Sequence, residues 1–420
     1  MVLRPERCVV WDGHPCSECT KDIELEKEIK KLEHFIEKIH IERRALYTVM
    51  NENHDHLSRE LPPEIVSQIF IQYSPTNAFF DKCVTTRSHP LYLGAVCQKW
   101  RQLAWATPEL WTSLHIELRL NRNHEALPRL VNEWLERSGT LPLTIEFVAG
   151  SGRIPGDEVY PEVINILNDH SARWRDVHFR LPPPHLNRLC GSFPGNILRR
   201  LVLSGPTHSY WDLPDASDLT SSMKSKPCPT HLTLRAFSII SVDVFWNFIT
   251  VASLNMIGAD ECTEFLRRCP LLESLVLSRI NLSSGAFPCS KTRIHCLHLR
   301  SFELSKIFHE LMVTEILNSM CLPALERWTQ WYTPFVLDSM ISLARCSSFC
   351  LKEFKISGGA DAYENVHNLL HHLSSLEVLQ LEFWVFHQCR PPGRGNELLR
   401  LLCAPRVGMG KSSLFLPYLQ

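Results

Sequence analysis

Three places in this sequence hold residue types whose spacing suits chemistry. Cys16 and Cys19 form a CxxC, with Cys8 and His14 nearby. A structural zinc site takes four Cys or His ligands. The CxxC is half of such a site and Cys8 lies off the usual spacing; the other reading is a flexible tail with free thiols, and no metal is expected. His367 and His371 stand at i and i+4, where one helix face offers two imidazoles to a metal. No Glu stands beside His367 in the required order, and Leu369, Leu370 and Leu373 continue an apolar stripe through the segment, so an exposed helix face is the better reading. Residues 408–413 read GMGKSS, like the end of a phosphate-binding loop. That loop needs Gly where Pro405 stands, and a long helix after it. No GxSxG occurs, and spacing names no nucleophile with its base. The expectation is a non-enzyme without cofactor.

The bulk numbers agree with a folded, non-nucleic-acid-binding chain. Of 420 residues, 45% are hydrophobic and 21% charged, which is ordinary for a protein with a real core. The net charge is −1, whereas a nucleic-acid binder shows a basic face. The segment from Met1 to Trp11 carries Arg4, Glu6 and Arg7 and no apolar run, so it does not read as a secretory signal. No run of about 18 apolar residues suggests a membrane span. The sixteen cysteines then read as reduced thiols in cytoplasm or nucleus.

The elements that position these residues fall into blocks. Residues 1–20 read as a flexible tail. Residues 21–60 read as one long helix with an apolar seam at heptad spacing. Leu25, Leu32, Ile39 and Leu46 take one seam position; Ile29, Ile36, Met50 and Leu57 take the other, with Arg43 as the break. The seam suits a two-stranded parallel coiled coil and hence a homodimer through 21–57. The alternative is an amphipathic helix packed back on its own chain.

Residues 61–70 read LPPEIVSQIF. Pro at the first helical turn loses no hydrogen bond, and Glu64 sits where the helix dipole favours negative charge. Ile65, Val66, Ile69, Phe70 and Tyr73 make a helical stripe. Residues 91–114 read LYLGAVCQKWRQLAWATPELWTSL, with Leu93, Val96, Cys97, Trp100, Leu103 and Ala104 again at three and four. Thr107-Pro108 then breaks the helix, and Leu110 and Trp111 close the unit. These two stripes expose more apolar surface than some fifty residues can cover, which marks a partner face.

LPPEI-x3-IF followed by VCQKWRQLA-x3-P-x-LW resembles the F-box, and looks especially like that of large receptor families in mushroom-forming fungi. The resemblance covers 61–114 well and the flanking layout loosely. It implies that the Leu-Pro segment and its helix, Leu61, Pro62, Pro63, Ile65, Ile69 and Phe70, contact a Skp-family adaptor. Leu93, Val96, Cys97, Trp100, Leu103, Leu110 and Trp111 join that set, several of them as core. Residues 74–90 depart from the plain motif as an insertion expected to loop out. The function implied is that of substrate receptor of an SCF-type cullin–RING ubiquitin ligase. The adaptor links it to a cullin, and the later region holds an unknown protein substrate. The alternative is a non-ligase scaffold with a vestigial box.

After Leu114, short runs share one form: WRDVHF at 174–179, LRRLVL at 198–203, LESLVL at 272–277, IHCLHL at 294–299, LKEFKI at 351–356 and LEVLQL at 376–381. PTHLTL at 229–234 and LERWTQ at 325–330 are weaker copies. Their anchors, Val177, Leu201, Leu232, Leu275, Leu297, Trp328, Phe354 and Leu379, recur at intervals of roughly 21 to 43 residues, with Ala252 to Leu254 filling the widest gap. TEFLRRC at 263–269 and NVHNLLHHL at 365–373 read as the intervening helices. The expected fold class is α/β: a long helix, a small all-α F-box bundle over 61–115, and an irregular leucine-rich-repeat-like solenoid over 116–404. RVGMGKSSLFLPYLQ at the end breaks the pattern, so 405–420 is expected to be poorly packed.

Overall fold

The computed structural model describes residues 16–73, 90–118, 125–149, 159–181, 183–189, 197–205, 226–283, 285, 287, 292–358, 360–383, 416 and 418. Cys8 and His14, nearly all of the 74–90 insertion, and the GMGKSS segment lie outside them, as does 384–415 as a whole. Of the final segment, Leu416 is buried and Tyr418 is 54% exposed. The chain divides into two compact units, residues 1–111 and 112–420.

The first unit is helical. Helix α1 runs Ser17–His54, followed by α2 His56–Glu60, α3 Pro63–Tyr73, α4 Pro90–Val96, α5 Gln98–Trp105 and a 3-10 turn at Pro108–Trp111. The long N-terminal helix is present, but it does not run through to residue 60. Asp55 leaves helical geometry, and its carboxylate accepts the Ser58 N–H at 3.1 Å, capping a new short helix. Leu57 therefore sits in α2 rather than on the heptad seam. The segment expected as one helix before Thr107 is also two. Cys97 is extended (φ −153°, ψ 173°), and its sulfur accepts the Trp100 N–H at 3.4 Å. A short polar side chain that offers an N–H an alternative acceptor ends one helix and opens the next.

The core of this unit is Val66, Phe70, Leu93, Cys97, Ala104, Leu110 and Trp111. Phe70 and Trp100 rings lie 4.9 Å apart, and the buried Trp111 Nε1 donates to the Ala104 carbonyl at 2.7 Å. Gly94 is required here: a Cβ at that position would overlap the Trp105 ring.

The second unit is mixed α/β around an eleven-stranded, wholly parallel sheet. In chain order come β1 Ser113–Leu118, α6 Leu127–Arg137, β2 Leu143–Ala149, α7 Val159–Asp169, β3 Trp174–Arg180, α8 Pro183–Leu186, β4 Arg200–Ser204, β5 His231–Arg235, β6 Val251–Asn255, α9 Ala259–Arg268 and β7 Ser274–Ser278. Then come β8 Ile294–His295, β9 Ser301–Ser305, α10 Glu310–Asn318, β10 Met320–Cys321, β11 Arg327–Trp331, α11 Leu337–Ser347, β12 Glu353–Gly358, α12 Ala360–Leu370 and β13 Val378–Phe383. Each main-sheet strand pairs with its neighbour in sequence, and β8 and β10 form a separate two-stranded sheet. Parallel strands need a crossover between them, and helices α6, α7 and α9 to α12 supply several.

Strand registers line up the apolar residues in rows across the sheet. One row runs Leu114, Ile145, Val177, Leu201, Leu232, Ala252, Leu275, Phe302, Trp328, Phe354, Leu379. The helices bury their apolar stripes in the same core, for example Cys262, Phe265 and Leu266 of α9. Two expectations are corrected by this register. The sheet begins two strands earlier than Val177, at β1 and β2. Leu297 is not an anchor: it is 61% exposed, and Phe302 in SFELS takes its place. IHCLHL has the right form but is drawn into the side sheet through Ile294 and His295, which pair with Met320 and Cys321. At the far end Leu379 and Leu381 stay half-buried, whereas their neighbours Phe354 and Ile356 are buried.

Candidate functional site

In the helical unit, Pro62 accepts the N–H groups of Ile65 and Val66 at 3.0 and 3.2 Å, and Pro63 is the first helical residue. The geometry of α3 then sorts its residues by fourfold spacing. Val66 and Phe70 turn inward. Leu61, Ile65, Ile69 and Tyr73 face out, at 36%, 48%, 39% and 49% exposure, with Pro62 and Pro63 also exposed. Ile65, Ile69 and Tyr73 lie on α3 and Leu61 just before it, and such a row of four large apolar side chains is more than a monomer ordinarily leaves wet. On α4, Tyr92 and Val96 are exposed at 56% and 44%.

The remaining sequence-picked residues lie elsewhere. Phe70, Leu93, Cys97, Leu110 and Trp111 are buried, and Trp100 and Leu103 are half-buried. The buried side chains among them fill the unit's interior. Thr107 Oγ1 adds a tether, lying 3.0 Å from the Ser67 hydroxyl and donating to the Leu103 carbonyl at 2.7 Å.

One residue that spacing did not single out organises the unit. Asp55 accepts the Trp100 indole N–H at 3.0 Å and hydrogen bonds from Ser58, and lies 3.8 Å from the Cys97 sulfur. Partial burial pushes its carboxyl up, but these donors together hold it below the ordinary range. Asn51 Nδ2 donates to the Val96 carbonyl at 2.7 Å. The C-terminal end of α1 is thus fixed to the α4–α5 junction, while Leu25 to Met50 of the seam remain exposed.

On the α/β unit, the sheet face opposite the apolar rows carries a row of mostly polar residues in register: His115, Glu146, His178, Val202, Thr233, Ser253, Val276, Glu303, Thr329, Lys355 and Gln380. Glu146 bonds His115 Nδ1 at 3.0 Å and His178 Nδ1 at 2.9 Å. Burial raises its pKa, but the two imidazoles overcome that and bring it to about 2. His178 Nε2 in turn lies 3.1 Å from Ser204 Oγ. This Ser–His–Glu chain has the connectivity of a nucleophilic triad. Spacing could not reveal it, because its members sit on three strands. Among the described residues the other half of such a site is not formed: Ser204 is buried, and the adjacent Gly205 N–H donates to the Arg235 carbonyl at 2.8 Å instead of facing an oxyanion.

Cys16 stands at the N-cap position of α1 without a side-chain capping bond, and Cys19 lies in the first turn. Among the described residues no group of three His, Cys, Asp or Glu side chains is placed to hold a metal ion, and no helix is long and apolar enough to cross a membrane. His367 lies on α12 and His371 just past it, with Val366, Leu369, Leu370 and Leu373 buried beside them. No protein-family model matches the chain, and no curated protein is significantly similar to it.

Proposed function

We propose that the chain is a non-catalytic substrate receptor. Its helical unit is an F-box that docks on a Skp-family adaptor, and through it on a cullin of an SCF-type ubiquitin ligase. The observation that carries this reading is the outward row of Leu61, Ile65, Ile69 and Tyr73 on a unit whose own core is already closed by Phe70, Leu93, Leu110 and Trp111. The α/β unit is a leucine-rich-repeat-like solenoid, a reading supported by strands that follow one another in chain order with rows of aligned apolar residues. Its polar strand face and the loops at the strand ends are where a protein substrate is held.

Calorimetric titration of the full chain with a Skp-family adaptor tests the reading. Central, desolvated anchors at interfaces commonly cost about 2 kcal/mol or more when truncated. Leu61→Ala with Pro62→Ala should therefore weaken binding at least about tenfold. Both side chains are exposed, so the variant should keep its fold. A folded double variant that binds as tightly as the parent, or a parent that does not bind, leaves the scaffold reading instead.

A further inference from the structure

Four cysteines recur along the β8–β10 side of the α/β unit: Cys269 after α9, Cys296 after β8, Cys321 in β10 and Cys346 near the end of α11. Cys296 N–H donates to the Cys321 carbonyl at 2.9 Å. The first three are buried, and burial pushes each thiol up, that of Cys296 to about 12. As protonated thiols, Cys269 and Cys296 are core filler. Cys346 differs: it is exposed, and it lines an open pocket of about 630 Å³ together with Arg293, Asp338, Ile341, Ser342 and Arg345. Arg293 is held there through its Nη2, which donates to Ser342 Oγ at 2.7 Å.

Cys346 also has a thiol behind it. Cys321 Sγ donates to the Cys346 carbonyl at 3.1 Å, and Cys346 Sγ lies 3.8 Å from the Met320 carbonyl. Each sulfur thus rests against the backbone of the other's segment. Ser347, whose hydroxyl accepts the Leu322 N–H at 2.9 Å, pins the two segments together.

We propose that Cys346 and Cys321 form a peroxide-responsive dithiol, with Cys346 as the attacking thiolate and Cys321 as the resolving thiol. Reactive cysteines are exposed ones with basic neighbours, and Cys346 is exposed and shares its pocket with Arg293 and Arg345 as well as Asp338. The Cys346 thiolate attacks hydrogen peroxide; the O–O bond breaks, an S–O bond forms, and hydroxide leaves to become water. Cys321 then attacks the sulfenic sulfur; the S–O bond breaks, the S–S bond forms, and a second water leaves with the thiol proton. Two electrons pass from the two thiols to one peroxide. The site is independent of the adaptor reading.

The test is peptide mapping, without reduction, of the full reduced chain after hydrogen peroxide in native buffer and an alkylating quench. The expected product joins the Cys321 peptide to Cys346, and Cys350→Ser retains it. Cys346→Ser, an exposed change, abolishes it, and Cys321→Ser leaves Cys346 as a sulfenic acid that dimedone traps. Before oxidation, iodoacetamide should label Cys346 at least roughly ten times faster than Cys321. A Cys346–Cys350 bond, a Cys321–Cys346 bond that appears only after denaturation, or Cys346 running to sulfinic acid in the parent overturns the proposal. If Cys321→Ser does not fold, mapping of the parent and of Cys350→Ser decides the matter alone.

Discussion

Glu146 is the residue at which the fold most alters ordinary chemistry. Its carboxyl titrates near about 2 rather than 4.5 because two imidazoles donate to it on a half-buried strand face. A depressed carboxylate contributes stability that is fully present above its unfolded value and is lost as pH falls through the folded value. Thermal unfolding followed from pH 5 down to pH 2, a range of about three units, should therefore show a steep decline in Tm across that window. Glu146→Gln should flatten that decline and lower Tm at pH 7, since a neutral amide cannot replace the charge; an unchanged slope would remove Glu146 from the account. Gly94 is a second such position: the Trp105 ring occupies the space a side chain would need. Nothing in local spacing announces either residue, because each is defined by a partner from another segment.

At the scale of elements, the strand ends share a device. Ala236, Met256, Arg279, Lys306 and Tyr332 each follow a strand directly and each has φ between 49° and 61°, left-handed backbone in non-glycine residues. The first four donate their N–H to the carbonyl of the last residue of the next main-sheet strand, at 2.9 to 3.1 Å. The sheet ladder thus extends one residue past each strand and over-determines a conformation that costs roughly 1–2 kcal/mol per residue. Lys306 is exposed, so Lys306→Gly should relieve the strain without loss of packing. Stability in urea should rise by about 0.5 kcal/mol or more, net of the extra chain entropy of glycine; a destabilised variant would mean that the turn is relaxed as it stands. Helix α1 makes the opposite case. Its seam residues Leu25, Ile29, Leu32, Ile36 and Ile39 are 46% to 63% exposed, so among the described residues of the first unit no helix covers the seam. An isolated helix is marginal in water, and its stability ordinarily comes from packing an apolar face. We therefore propose that the seam closes on a second copy of the chain. Sedimentation of the full chain should give a dimer, and Ile29→Ser with Ile36→Ser a monomer; a parent monomeric at high micromolar concentration would rule that out.

Over the whole molecule, the parallel sheet sets a gradient. Strands β2 to β12 of the main sheet are paired on both sides, while β1 and β13 each have one partner. At the β13 edge the apolar rows end in the half-buried Leu379 and Leu381. Arrays built from successive units derive stability from neighbour contacts, so an end unit opens at lower free energy. Hydrogen exchange should be slowest in β6, β7 and β9 and faster in β13; equal protection at β13 and β7 would show that residues after 383 supply a full covering layer.

The sequence by itself determined the mixed α/β character, the long N-terminal helix, the helical block from Pro63, and most strands from 174 onward. These follow from local rules: a heptad seam, Pro at a helix start, and alternating apolar residues that must share one face. Only the tertiary structure decided the rest. It chose SFELS over IHCLHL because a strand's register is fixed by the strands beside it, and it added β1, where WTSLHI at 111–116 has the six-residue form but overlaps the end of the helical unit, and β2, whose LTIEFVA alternates without that form. It brought together the two locally capped helix breaks, at Asp55 and Cys97, through the contacts of Asp55 with Trp100 and Cys97. It split the candidate surface too. Ile65 and Phe70 share one apolar stripe in the sequence, and which of them faces water depends on where α5 and Trp111 pack, information that no single helix carries.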